Sequence, residues 1–270
     1  MTPPRYNTPG QTCFVTVRAV GRAFRFLPDR AVRESIDFLF ALCVAKYGLL
    51  VHEYLFLSNH FHMVVTDPAG ALSDFLRDFD SMLSRQLNAL RGTKGTNFEK
   101  EPRIQIIADA QCILDKSVYS LTNPLAAHLV ERMRQWKGCS SFTLVRPAVR
   151  PELSDAELRR HVRDRVAARE QELIAERRRK KIGVLGWRGV VTQHYTATPR
   201  TSRVLFERRP RVTGSDRAAC ARVLATLDRF VAAYRCALAS FQRGASWPTL
   251  PYGTLQLARR YGVRCATAPP

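Results

Sequence analysis

Two short stretches of the chain carry side chains whose types and spacing could do chemistry together. The first is Ser58-Asn59-His60-Phe61-His62-Met63-Val64-Val65. In a strand, residues two apart share a face, so His60 and His62 project to one side and Phe61 and Met63 to the other, into a core. Two imidazoles on one face can chelate a single divalent ion. Two ligands do not complete a site, and without a third the pair reads as surface histidines on an exposed sheet face. The second stretch is Asp115-Lys116-Ser117-Val118-Tyr119-Ser120-Leu121-Thr122-Asn123-Pro124. On a helix, residues four apart are neighbours, so Tyr119 and Asn123 share a face, with Asp115 one turn earlier. A phenol is a weak nucleophile unless its oxygen is placed in line with an activated phosphate. A metal ion beside it would polarise that phosphate and stabilise the developing charge, and Asn123 could supply an oxygen as third ligand. Taken alone, Tyr119 reads as a packed helix tyrosine. Pro124 disfavours helical geometry at Asn123, so the helix is expected to break or kink there.

The flanking sequence supplies elements to position these groups. Residues 11–18 are β-branched and alternating, and read as a strand. Pro28-Asp29 opens a segment with Val32, Ile36, Leu39, Phe40 and Cys43 at helical spacing, which Gly48 ends. Leu49 to Leu57 reads as a second strand, Ser58-Asn59 as a tight turn, and His60 to Thr66 as a third strand. Leu72, Phe75, Leu76, Phe79, Leu83, Leu87 and Leu90 mark an amphipathic helix over about 71–91. Arg103 to Ala108 reads as a fourth strand, and Asp109 begins a helix that runs through Tyr119. The order β-α-β-β-α-β, then a helix, predicts an α+β fold of the ferredoxin-like, split βαβ kind. That is a four-stranded antiparallel sheet with helices on one face, over about residues 11–135.

Beyond Trp136 the texture changes. Pro147 to Pro151 is linker-like, and Ser154-Asp155-Ala156-Glu157 is a capping box that opens a charged helix to about Lys181. Val184 to Arg211 reads as loop with short elements, and Ala218 to Phe241 as a helix. The boundaries expected are an α+β domain carrying both stretches over 1–145 and a basic, mainly helical extension over 146–270. Lys plus Arg is 43 and Asp plus Glu is 23, giving a net charge of +20. Residues 1–140 hold 17 basic and 13 acidic side chains, and residues 141–270 hold 26 and 10, so the excess sits in the C-terminal half. Arginine dominates it, and its guanidinium pairs bidentately with phosphate. No apolar face accompanies the charge, which favours nucleic acid over a membrane surface as partner. Arg177, Arg178, Arg179, Lys180 and Lys181 form a basic run suited to phosphates. Trp187, beside Gly186 and Arg188, reads as a core anchor or as a platform for an unpaired base. Arg85, on the second long helix, could reach phosphate or be simply solvated.

The seven cysteines are scattered, odd in number and form no C-x-x-C pair, which argues for reduced thiols rather than a structural zinc site. No apolar run is long enough to span a bilayer. Met1-Thr2-Pro3-Pro4-Arg5 lacks the apolar core of a secretory signal, so a cytoplasmic location is expected.

The stretch from His52 through Phe142 resembles the IS200-type single-tyrosine (HUH, Y1) transposases, and among them the REP-associated tyrosine transposases. The resemblance rests on Asn59-His60-Phe61-His62 before an apolar strand and on Asn97-Phe98 before the fourth strand. It rests further on Tyr119-x-x-x-Asn123-Pro124-x-x-Ala127-x-x-Val130, ending in Trp136 and Ser140-Ser141. It implies that His60, His62 and Asn123 bind Mg²⁺ or Mn²⁺, and that Tyr119 attacks DNA to give a 5′-phosphotyrosine and a free 3′-hydroxyl. The implied substrate is single-stranded DNA beside an imperfect hairpin. Minimal members are dimers and REP-associated members tend to be monomers, so monomer or homodimer is expected. Two features depart from the pattern. Arg18-Ala19-Val20-Gly21 stands where the family has Arg-Gly, and the extension is long and very basic. The competing reading is a non-catalytic protein that binds hairpins without cutting them.

Overall fold

The computed structural model describes residues 8–142, 156–198 and 211–242. Pro147 to Pro151, Ser154-Asp155 and residues 199–210 of the segment read as loop lie outside them. The elements run β1 (Gln11–Arg18), α1 (Arg30–Tyr47), β2 (Leu50–Phe56), β3 (His60–Asp67), α2 (Leu72–Arg91), β4 (Arg103–Ile107) and α3 (Ala110–Leu121). They continue with α4 (Asn123–Ala126), α5 (Ala156–Arg179), α6 (Gly186–Val191), β5 (Val212–Thr213) and α7 (Arg217–Gln242). Local signals account for the boundaries. Asp29 caps α1 by accepting from the Val32 N–H at 2.9 Å, and Gly48 closes it at φ +63, a left-handed conformation that glycine adopts without strain. Asp67 closes β3 and accepts from the N–H groups of Ala71 and Leu72, at 2.9 and 2.7 Å, where α2 begins.

The strands lie in the order β2-β3-β1-β4-β5. The first four are antiparallel, as the sequence predicts. The sheet as a whole is not four-stranded and antiparallel: β5 adds a fifth strand, parallel to β4. The Ile106 N–H donates to the Arg211 carbonyl at 3.0 Å, and the Ala108 N–H to that of Thr213 at 2.9 Å. A two-residue strand is too short to show alternation; its backbone pairing is joined by Val212, buried in the main core.

The two faces of the sheet are covered differently. Cys13, Val15, Val17, Phe61, Met63 and Val65 join Phe40 of α1 and Phe75 and Phe79 of α2 in the main core. The expectation of helices on one face therefore holds for α1 and α2 only. The other face carries Phe14, Leu55, Val64 and Ile107, an apolar surface that also needs cover, and α3 lies across it. On this face β2 contains a bulge. Val51 pairs with Val65 and Glu53 with Val64, so His52 and Glu53 together oppose one residue.

Helix α5 packs against α3 and α4. Leu121, Leu125, Val130, Met133 and Trp136 meet Val166 and Val190 in a second core around Leu55. The outer edge of β2 is also paired: Phe56 N–H donates to the Cys139 carbonyl and Ser141 N–H to that of Tyr54, both at 2.9 Å. Among the described residues the cysteines are free thiols, and no helix is long and apolar enough to cross a membrane.

Candidate active site

The turn Ser58-Asn59 joins β2 to β3, and β3 presents His60 and His62 on the face that α3 covers. The register sets Arg18 opposite His60 and Thr16 opposite His62. Phe61 and Met63 point into the main core, fully buried, as the alternation requires. The imidazole rings lie 4.8 Å apart, nearly perpendicular.

Hydrogen bonds orient both rings and, for a neutral imidazole, select the tautomer of each. His60 Nδ1 lies 2.7 Å from Asn59 Oδ1, an amide oxygen that can only accept, so the ring proton is on Nδ1 and the lone pair on Nε2. His62 is buried, with Nδ1 2.9 Å from Thr16 Oγ1 and Nε2 3.3 Å from Asn123 Nδ2. The amide nitrogen donates, so here too Nε2 carries the lone pair and Nδ1–H donates to the threonine. Each histidine thus has Nδ1 held by a neighbour and Nε2, which in His62 meets the Asn123 amide, in the form that binds a metal. Turning the Asn123 amide by half a turn would bring its oxygen to the place its nitrogen occupies. Among the described residues no three His, Cys, Asp or Glu side chains cluster as a metal site; the Asn123 amide oxygen is a donor that could join the two imidazoles. The residues fit a divalent ion held by two imidazoles and one amide oxygen.

Asp109 caps α3 by accepting from the Cys112 N–H at 2.8 Å, and α3 delivers Tyr119. The helix ends at Leu121; Thr122 is its cap, and α4 begins at Asn123 with Pro124 in its first turn. The break falls just before Asn123 rather than at it. The reason is that Pro124, lacking an N–H, fits the first turn of a new helix. The Tyr119 ring lies 5.7 Å from that of His62 and edge-on to Phe14 at 6.1 Å, while Phe14 stacks on His62 at 5.3 Å. Tyr119 stays 48% exposed, so its phenol is open to a bulky substrate. Lys116, a turn earlier, sits 5.3 Å from the Phe14 ring centre and brings a cation to the same corner.

Beneath α3, the β2 bulge places Glu53, which is fully buried. Ser120 Oγ donates to Glu53 Oε1 at 2.9 Å, while Oε2 has no hydrogen-bond partner. Burial pushes this carboxyl well above the ordinary carboxylate range, and the Ser120 hydrogen bond offsets that only in part.

The structure brings Tyr119, His60, His62 and Asn123 together. The remaining sequence-predicted residues lie elsewhere. Asp115 pairs with Arg165 of α5 at 3.0 Å. Arg85 is exposed on α2, on the opposite face of the sheet. Arg177 is not on the surface: its side chain is 7% exposed and pairs with Glu131 at 3.5 Å. Arg178, Arg179, Lys180 and Lys181 are exposed at the end of α5, and Arg188 is exposed on α6. Trp187 is half-buried and meets Trp136 edge to face. Sequence reasoning missed Thr16, Asn59, Lys116, Glu53 and Ser120. Lys116 was within reach, since it lies three residues from Tyr119 on one helix. The partners of His62 and Ser120 depend on strand register and on the bulge, which spacing alone does not show.

No family model matches the chain, and no curated protein matches it. Among solved structures it is similar to a REP-associated tyrosine transposase bound to a REP hairpin, at 19% identity and a TM-score of 0.44 over 53% of this chain and 82% of that one. It is also similar to a tRNA(His) guanylyltransferase from Saccharomyces cerevisiae, at 13% identity and a TM-score of 0.36 over 68% and 83%. A provisionally assigned transposase from Deinococcus radiodurans shows 11% identity and a TM-score of 0.29 over 38% and 84%. Likenesses this distant carry no argument about chemistry, which rests on the residues themselves.

Proposed function

We propose that the protein cleaves and rejoins single-stranded DNA beside hairpins, using a divalent metal ion and Tyr119 as nucleophile. The observation that carries this reading is the meeting of His60 and His62 from β3 with Asn123 and Tyr119 from the α3–α4 break. A nucleophile, two imidazole lone pairs and an amide that can present oxygen then share one half-open corner. That set matches what the motif resemblance implies, and the family's REP-associated members supply the hairpin as the expected substrate.

His60 Nε2, His62 Nε2 and Asn123 Oδ1 would hold the ion. When bound, it would polarise the scissile phosphate and stabilise the charge that develops there. Two imidazole ligands favour Mn²⁺ over the oxygen-seeking Mg²⁺. Thr16 and Asn59 hold the rings in the required tautomer. Tyr119 Oη forms a bond to phosphorus as the phenol gives up its proton, the P–O3′ bond breaks, and the 3′ oxygen takes up a proton. The product is a 5′-phosphotyrosine and a 3′-hydroxyl. Attack by a 3′-hydroxyl on that phosphotyrosine reverses the step, so rejoining needs no nucleotide cofactor. Lys116 stands where it can pair with a non-bridging phosphate oxygen. The exposed cations Arg178 to Lys181 would hold the strand or stem through phosphates without reading sequence.

The test is incubation with single-stranded hairpin DNA from around the protein's own gene, with Mn²⁺ or with EDTA. A covalent protein–DNA band on a denaturing gel, present with Mn²⁺, absent with EDTA and absent in Tyr119→Phe, is the expected outcome. An adduct that survives Tyr119→Phe would remove Tyr119 from its role. Hairpin binding with no adduct under any condition would favour the non-catalytic reading.

A further inference from the structure

An open cavity of about 570 Å³ lies between the segment that follows α4 and the turn that opens α6. Its volume falls within the ~300–1,000 Å³ usual for ligand pockets. Trp187, Arg134, Gln135, Lys137 and Glu131 line it, with Gly186 at the turn. No step of the proposed cleavage uses it.

The walls are held in place. Trp187 meets the fully buried Trp136 at 5.5 Å between ring centres and 89° between planes. An edge-to-face contact can cover at most one face of the Trp187 indole. The Leu185 N–H donates to the His128 carbonyl at 3.0 Å, tying the α6 turn to the segment after α4. Gln135 Oε1 accepts from the N–H groups of Glu131 and Arg132, both at 2.9 Å, so its NH₂ is the end left to donate. The charge balance is positive. Glu131 pairs with the buried Arg177, whereas Arg134 and Lys137 are exposed and, among the described residues, make no ion pair.

An indole in the lining, a fixed amide donor and two cations with no ion pair among the described residues suit a planar, hydrogen-bonding group joined to phosphate. An acidic peptide would use the cations but leave the indole idle. We propose that this cavity is a subsite for one unpaired nucleotide of a DNA strand. The base stacks on Trp187 and the flanking phosphates pair with Arg134 and Lys137. The proposal rests on the strand-cleavage reading only for the identity of the strand as DNA.

The experiment uses the full chain carrying Tyr119→Phe, in EDTA, so that binding is read apart from chemistry. A short single-stranded oligonucleotide is titrated while tryptophan fluorescence and the anisotropy of a labelled strand are followed. Expected are quenching, a loss of affinity of roughly five- to 150-fold on adding Trp187→Leu, as loss of one stacked base predicts, and recovery with Trp187→Tyr. The double change Arg134→Ala/Lys137→Ala lies on exposed residues and tests the proposal without disturbing the core. It should weaken binding and flatten the dependence of log affinity on log salt by about 1.4. Blunt duplex and poly-glutamate should not quench the tryptophan, even where duplex competes for the exposed basic run. Unchanged affinity in the folded Trp187→Leu protein, an unchanged salt slope in the double variant, or equal quenching by duplex or poly-glutamate would each overturn the subsite. Quenching that depends on Trp187 in a protein whose wild type forms no adduct would remove the cleavage reading and leave the subsite standing.

Discussion

His62 is held at both ring nitrogens, by Thr16 on β1 and by Asn123 at the start of α4. Removing the hydroxyl in Thr16→Val keeps the shape and strand propensity but frees the ring to turn and to exchange tautomers. Such supporting partners typically carry ~10–100-fold in metal affinity. The Mn²⁺ concentration for half-maximal adduct formation should rise by about that factor, with little change at saturating metal. Glu53 makes a prediction of the opposite kind, about stability. Its folded pKa lies above its unfolded one because of burial. The neutral form is therefore favoured in the fold, and its contribution is complete at acidic pH, below the ordinary carboxylate range. It is lost as pH rises through the raised folded pKa. Glu53→Gln cannot ionise, so it should gain on the wild type in urea midpoint as pH rises from mildly acidic to alkaline. A gap that does not vary with pH would show that folding leaves the Glu53 pKa unshifted. At this scale the sequence displayed the donors but not their holders. His60 and His62 follow from alternation, while Glu53 reaches the α3 face only because the bulge at His52 shifts the register.

Among the elements, α3 carries the most. Asp109 caps it through Cys112 and also accepts from the Asp216 N–H and Ser215 Oγ, both at 3.1 Å, just before α7. Asp109→Ala should cost about 0.5–2 kcal/mol, as loss of an N-cap does, measured by urea denaturation. Adduct formation should fall as well if the start of α3 frays. Both ends of α3 were legible: Asp109 is a strong cap, and Pro124 announced a break. The placement of α3 across the second face of the sheet was not legible. An amphipathic helix shows that it has an apolar stripe, but not which of two apolar sheet faces will receive it. Strand β5 was invisible for a different reason, since two residues in an Arg- and Thr-rich stretch carry no period.

Across the whole molecule, the basic half is tied to the first half by packing as well as charge. Val166 and Val190 are buried against Leu121, Leu125 and Trp136, and β5 pairs with β4. A chain ended after Phe142 keeps His60, His62, Tyr119 and Asn123 but uncovers the outer side of α3 and the free edge of β4. It should associate or precipitate, which size-exclusion chromatography would show, since an open strand edge beside exposed apolar surface invites pairing between chains. A monomeric, soluble fragment would mean that the second core is dispensable. The net charge of +20 pointed to a polyanion, but composition does not say that part of that half completes the fold.

The parallel pairing of β4 with β5 also bears on the order of events at the ribosome. Ile106 is made early and its partner Val212 late. Throughout synthesis of α5 and α6 the nascent sheet has an unpaired rim, and long-range pairing of this kind forms slowly. The interval between the two strands is thus a window of vulnerability, which slow translation would lengthen and a chaperone bound to that rim would close.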